Sequence, residues 1–244
     1  MSGRILPQIV TDGLILYLDA GNTISYPGSG TTWKDLSPTV ANGILTNGPT
    51  FNNGNGGSIS FDGTNDYIDC GRQIPVLTPS LPITIDCWVN VNTGSPLGGL
   101  VTLDSASPTV NYYGAAVQIG GTSPNYSVIA SYGNGGLDQP SNRQTFATST
   151  TFSSGNWVHI ITVIQSTITN TTVYFNTVSQ AGTTSGTGGA IAWSSTGTTK
   201  IGRVWGPGAS YFSGKIANVK VYNRALSTTE ISQNYNALRS RFGL

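Results

Sequence analysis

The sequence predicts an all-β fold of two antiparallel sheets packed face to face, with one short C-terminal α-helix. Three observations lead there. Short apolar runs are punctuated by Gly, Pro, Ser, Thr and Asn along the whole chain, with 32 Gly and 12 Pro in 244 residues, the pattern of many strands joined by turns. Ile83, Ile85, Cys87, Val89 and Val91 alternate with Thr84, Asp86, Trp88 and Asn90, a period of two that marks a strand. Helical spacing is found only after Ser227, where Ile231, Tyr235 and Leu238 recur on one face.

Taken in order, residues 1–10 form an N-terminal arm, and Gly13 to Asp19 reads as a first strand with Leu14, Leu16 and Leu18 on one face. A Gly/Pro/Ser-rich loop from Ala20 to Thr32 follows, anchored at its far end by Trp33 and Leu36. Ile44 and Leu45 form a short strand ended by the turn signal Asn47-Gly48-Pro49. Ser58 to Asp62 and Asp66 to Cys70 flank the tight connection Gly63-Thr64-Asn65. After Ile83 to Val91, strands are expected at Leu100–Leu103, Ala115–Ile119 and Tyr126–Ser131, with a weaker one marked by Phe146. Trp157 to Ile164 is almost continuously apolar and reads as a central strand buried on both faces. Thr172–Asn176, Thr198–Val204 and Ile216–Tyr222 complete the β region. The helix spans 227–242. Ser227 and Glu230 form a capping box, and Leu226 and Ile231 a hydrophobic staple. Arg239 and Arg241 near the last turn suit the helix dipole, and Gly243 closes the helix. No long linker or shift in composition divides the chain, so 1–244 reads as one domain.

Composition narrows the function. Charged residues are 9%, against roughly 25% in an ordinary soluble domain, and the net charge is +1. With no Lys/Arg run, the electrostatic footprint of a nucleic-acid binder is absent. No stretch of about 18 apolar residues is present to span a membrane, and the N-terminus does not read as a secretory signal. Few charges leave little repulsion against self-association. Cys70 and Cys87 lie in expected strands. Free buried thiols suit them better than a disulfide, which would lack support from an oxidising compartment.

Several motifs, weak singly but specific in their order, resemble the concanavalin A-like, laminin-G-like superfamily. They are Gly13-Leu14-Ile15-Leu16-Tyr17-Leu18-Asp19-Ala20, the hairpin Phe61-Asp62-Gly63-Thr64-Asn65-Asp66-Tyr67, and Gly155-Asn156-Trp157-Val158-His159. Lys200-Ile201-Gly202-Arg203, Phe212-Ser213-Gly214-Lys215-Ile216 and Val221 through Ser227 with Glu230-Ile231 follow. The resemblance implies a jelly-roll sandwich. One departure is Tyr174-Phe175-Asn176-Thr177, where the family usually has Tyr-x-Asn-Gly; without Gly the turn is expected to lengthen or change type. The Tyr26–Trp33 loop and the ending from Tyr222 resemble bacteriophage virion proteins, including those of cyanophages. That resemblance implies a virion protein, assembled in the host cytoplasm, that decorates or cements capsid, tail or fibre through other virion proteins and through self-association.

Hydrolases of this superfamily typically carry two Glu on one strand, consistent with the paired carboxyl groups that glycoside hydrolysis requires. This chain has a single glutamate, Glu230, already explained by the capping box, and Asp62 and Asp66 are natural turn residues. A non-catalytic protein is therefore expected, with His159 a buried structural histidine. No cofactor is expected apart from calcium, for which relatives use loop-rim oxygens; Asp104 and Asp138, beside loops at strand ends, are the candidate ligands. The alternative function is a glycan-binding adhesion module that recognises cell-surface glycans. A sugar needs an aromatic platform edged by amides and hydroxyls, and Trp205, Tyr112, Tyr113 and Tyr132 are the candidate rings.

Overall fold

The alternating segments become strands because each can bury one face and keep its backbone paired. The computed structural model describes residues 8–71, 77–94, 98–105, 111–137, 139–204 and 210–244. Its strands begin with β1 (Leu14–Asp19), β2 (Thr32–Trp33), β3 (Gly43–Thr46), β4 (Thr50–Asn52), β5 (Ser58–Asp62) and β6 (Tyr67–Asp69). Next are β7 (Ile83–Val91), β8 (Gly98–Ser105), β9 (Ala115–Thr122), β10 (Asn125–Gly133), β11 (Arg143–Thr148) and β12 (Phe152–Ser153). Last come β13 (Trp157–Ile164), β14 (Thr172–Phe175), β15 (Val178–Gln180), β16 (Gly182–Ser185), β17 (Thr198–Ile201) and β18 (Ser213–Tyr222), followed by the helix α1 (Thr228–Leu238).

They form two antiparallel sheets. The eight-stranded sheet runs β15-β14-β13-β7-β18-β5-β4, with β1 pairing the far half of β18. The ten-stranded sheet runs β16-β11-β10-β9-β8-β17-β6-β3-β2, with β12 against β10. The chain crosses repeatedly between sheets, as in a jelly roll. The core lies between them, filled by Leu16, Leu18, Ile59, Ile85, Val89, Val117, Val128 and Ile216, each almost fully buried. Cys70 and Cys87 are free thiols within this core.

Two sequence expectations change here. A register shift between Leu14 and Leu16 splits the expected Leu face: Leu16 and Leu18 enter the core, while Leu14 packs under the helix with Ile161 and Ile231. The turn after Phe175 keeps its two-residue length, because Phe175 still pairs with Val178. Asn176 and Thr177 adopt φ of 48° and 77°, so a β-branched residue occupies the left-handed region that glycine normally fills.

The helix lies on the outer face of the eight-stranded sheet. Its capping box is complete: the Ser227 amide donates to Glu230 Oε2 at 2.8 Å, and the Glu230 amide donates to Ser227 Oγ. Arg224 adds a bidentate pair to Glu230 at 2.6 and 3.1 Å, pulling that carboxyl down to about 2. A 3-10 turn, Arg239–Phe242, follows the helix. Arg241 does not serve the helix dipole as expected; its guanidinium pairs with Asp19 at 2.7 Å and bonds the Asn55 and Gly57 carbonyls.

Candidate functional site

The two outer faces differ in what covers them. On the eight-stranded sheet, Asp86, Trp88, His159, Asn218, Lys220 and Tyr222 point outward yet are buried, because α1 and the following turn lie on top. Trp88 stacks on Phe242, His159 and Tyr235, with centroids at 4.2, 4.7 and 5.7 Å. The Asp86 carboxylate receives Lys220 Nζ at 2.9 Å, His159 Nε2 at 2.9 Å and Asn234 Nδ2 at 2.8 Å. Burial alone would raise the Asp86 pKa, but Lys220 and His159 outweigh it and hold the carboxyl well below its ordinary range. Burial pushes His159 below its ordinary value despite Asp86, so the neutral ring donates through Nε2. With no access to solvent, this constellation pins the helix and has no room for a ligand.

The outer face of the ten-stranded sheet carries the accessible polar surface. Pairing aligns one cross-strand row through Ile44, Asp69, Lys200, Thr102, Ala116, Ser131, Thr145 and Ser185. Segments 111–113 and 203–204 roof its middle, where Tyr112 and Val204 pack on Ala116. To one side lies a groove of about 390 Å³, lined in part by Asn42, Ile44, Thr46, Asp69 and Thr198. Thr46 pairs with Tyr67 across the strands, and Tyr67 extends this surface beyond the groove. Lys200 Nζ lies 4.9 Å from the Tyr67 ring centroid, and the Arg203 guanidinium lies 5.4 Å from Tyr67 and 5.6 Å from Tyr211. Lys200 pairs with Asp69 at 2.7 Å. Burial raises the Asp69 carboxyl, but Lys200 outweighs that and leaves it below its ordinary value.

Local structure explains how Arg203 arrives there. Gly99 of β8 lies beneath it, and a methyl group on Gly99 would overlap the Arg203 carbonyl. The same strand's Thr102 hydroxyl donates to that carbonyl at 2.8 Å, and Arg203 bridges to Tyr211 across the connection.

The sequence-predicted residues are distributed otherwise. Tyr132 is not at a rim: it is buried, and its hydroxyl donates to the Ser166 carbonyl at 2.8 Å. Tyr112 is half-buried under the Arg143 guanidinium, 5.0 Å from its ring, and Tyr113 packs against Gly135. Asp104 is not an open loop ligand: it is buried, Ser194 Oγ donates to it at 2.6 Å, and the Ser194 amide donates to its other oxygen. Trp205 and Asp138 lie outside the described residues. Tyr67, Arg203 and Tyr211 were missed by sequence reasoning, although the alternation of Tyr67 and Asp69 about buried Ile68 marks both as outward. Trp193 was also missed; with Leu81 and Ile191 it lines a second cavity of about 300 Å³.

Comparison with known proteins gives the architecture a context. A sequence model of the concanavalin A-like lectin/glucanases superfamily matches residues 62–232. No curated protein matches the sequence. Among solved structures, the binding domain of botulinum neurotoxin DC in complex with SialylT is similar at TM-score 0.63 and 13% identity, over 93% of this chain and 52% of that one. Trypanosoma rangeli sialidase in complex with sialic acid is similar at TM-score 0.60 and 16% identity, over 94% of this chain and 33% of that one. The chain thus spans about half of the toxin chain and a third of the sialidase chain.

Proposed function

The chain belongs to the concanavalin A-like lectin/glucanase superfamily, and on that premise we propose that it is a non-catalytic carbohydrate-binding module. The observation that carries the reading is the groove on the ten-stranded sheet. It sets the Asn42, Thr46 and Thr198 side chains beside a surface that Tyr67 extends and Arg203 continues to Tyr211, the combination of polar groups and rings that a pyranose needs for orientation and apolar stacking. The similar structures support the class of ligand, since they include a sialidase in complex with sialic acid and a toxin whose cell entry depends on ganglioside molecules. A lack of catalysis is supported by the carboxylates that other groups already hold. Glu230 is tied to Ser227 and Arg224, Asp86 is buried, and Asp62 accepts the Thr64 amide within its turn.

Glycan-array screening followed by calorimetry tests the proposal. Tyr67→Ala and Tyr211→Ala should each weaken the best glycan roughly tenfold or more, the loss of about 1.4 kcal/mol, with unchanged thermal unfolding. Full affinity in both folded variants would remove the groove from consideration. Placement in a phage particle rests on the sequence resemblance alone. Mass spectrometry of purified particles tests it, and absence of the protein from mature particles would end that reading.

A further inference from the structure

We propose that a sugar bound in this groove and reaching across Tyr67 carries a carboxylate, and that Arg203, beside Tyr67 and outside the groove's own lining, receives it. The inference rests on the carbohydrate-binding reading and names the class of ligand. Arg203 is half-buried between two tyrosine rings. Among the described residues no carboxylate pairs with it, and its Nε is buried without a hydrogen-bond partner. The neighbouring cation is already balanced: Lys200 donates to Asp69 at 2.7 Å and to Thr198 at 2.8 Å. Among the described residues, the guanidinium of Arg203 is therefore a cation on this face with no paired carboxylate.

The half-buried guanidinium carries a charge with no carboxylate beside it among the described residues, and an anionic group on a ligand would supply one at the accessible edge. A guanidinium presents a planar fork of N–H donors that matches a carboxylate in a bidentate pair. Between Tyr67 and Tyr211 the side chain is held before a ligand arrives, so little conformational freedom remains to be lost on binding. Tyr67 adjoins Thr46 across the strands, and Thr46 and Asn42 in the groove offer partners to the sugar's hydroxyls.

The test measures the full chain by calorimetry against paired probes: trigalacturonate with its methyl ester, and 3′-sialyllactose with lactose. The acidic member of a pair should bind at least tenfold more tightly, and raised salt should shrink the difference through screening. Arg203→Gln should abolish the difference by lowering the acidic probe's affinity to that of its neutral partner, and Arg203→Lys should restore part of it. The probe pairs use the unaltered protein, so this readout stands even if a variant folds poorly. Equal binding of acidic and neutral probes would overturn the inference and leave the carbohydrate-binding reading intact. Binding of sulfated but not carboxylated sugars would overturn it as well. An acidic preference that survives in folded Arg203→Gln would remove Arg203 from the role. No binding of any probe would count against both proposals.

Discussion

Replacing Asp86 by Asn is the sharpest test of how the helix is held. The carboxylate is buried and takes hydrogen bonds from Lys220, His159 and Asn234 at 2.8–2.9 Å. The Lys220 side chain is also fully buried, so the substitution leaves its ammonium without a counter-charge. Removing one partner of a buried pair costs about 3–5 kcal/mol. The Asn234 bond, which ties the helix to the sheet, weakens in the same step because its acceptor loses its charge; bonds to charged groups contribute about 1.5–3 kcal/mol. The two losses overlap, so the expected total is about 3–5 kcal/mol, a large part of a typical stability of about 5–15 kcal/mol. Urea unfolding followed by tryptophan fluorescence reads it directly, since Trp88 stacks against Phe242 at the same interface. Asp86→Leu combined with Lys220→Met should recover much of the loss, because an apolar pair removes both charges. A loss below about 1 kcal/mol for Asp86→Asn would refute the view that this carboxylate pins the helix.

Other expectations come from single features. Below pH about 6.5 the unfolded chain protonates His159 while the buried ring, its pKa lowered, resists. Stability therefore falls with acidification, and His159→Gln should flatten urea midpoints between pH 7 and 5. Glu230, held down at about 2 by Arg224 and Ser227, adds stability above its unfolded value that is lost as pH falls through 2; Glu230→Ala should cost about 1 kcal/mol at neutral pH, measured by urea unfolding. Thr177→Gly should raise the melting temperature by about 1–4 °C, because relief of a strained φ outweighs the added chain entropy; no rise in calorimetry would argue against strain. Cys70 and Cys87 are buried, and burial pushes both thiols up, so a thiol reagent should label neither in native buffer and both in denaturant.

Strands buried on a regular pattern were legible in the sequence. β7 and β13 span the residues expected, since their alternation and apolar length reflect one or two buried faces. The helix start was legible too, because its signal is local to Ser227 and Glu230. Short pieces such as β2, β4, β12 and β16 were not, as their pairing depends on a distant partner strand more than on their own composition. The groove was illegible for a similar reason: Lys200 meets Asp69 only through the pairing of β17 with β6. Tyr132 was misread although a signal existed. It shares strand parity with Tyr126, Val128 and Ala130, all buried, which already places it inward.

The helix links these observations to function. Docked by apolar contacts alone, an amphipathic helix can slide along a sheet. Buried Asn234 meets Asp86 and Tyr222 through its amide nitrogen, while its oxygen accepts the Val10 amide. Displacing the helix by one turn would leave each of these groups buried without a partner, and that penalty fixes its position. A helix fixed there closes the outer face of the eight-stranded sheet. Its charged groups are spent on each other, and His159 and Asp86 are both shielded from solvent beneath it. That leaves the opposite sheet and the loop rims as the surfaces on which the proposed recognition would take place. On that sheet Lys200, paired with Asp69, and Arg203, paired with no carboxylate among the described residues, both lie against the Tyr67 ring, and the acidic ligand proposed above would meet these two cations unequally.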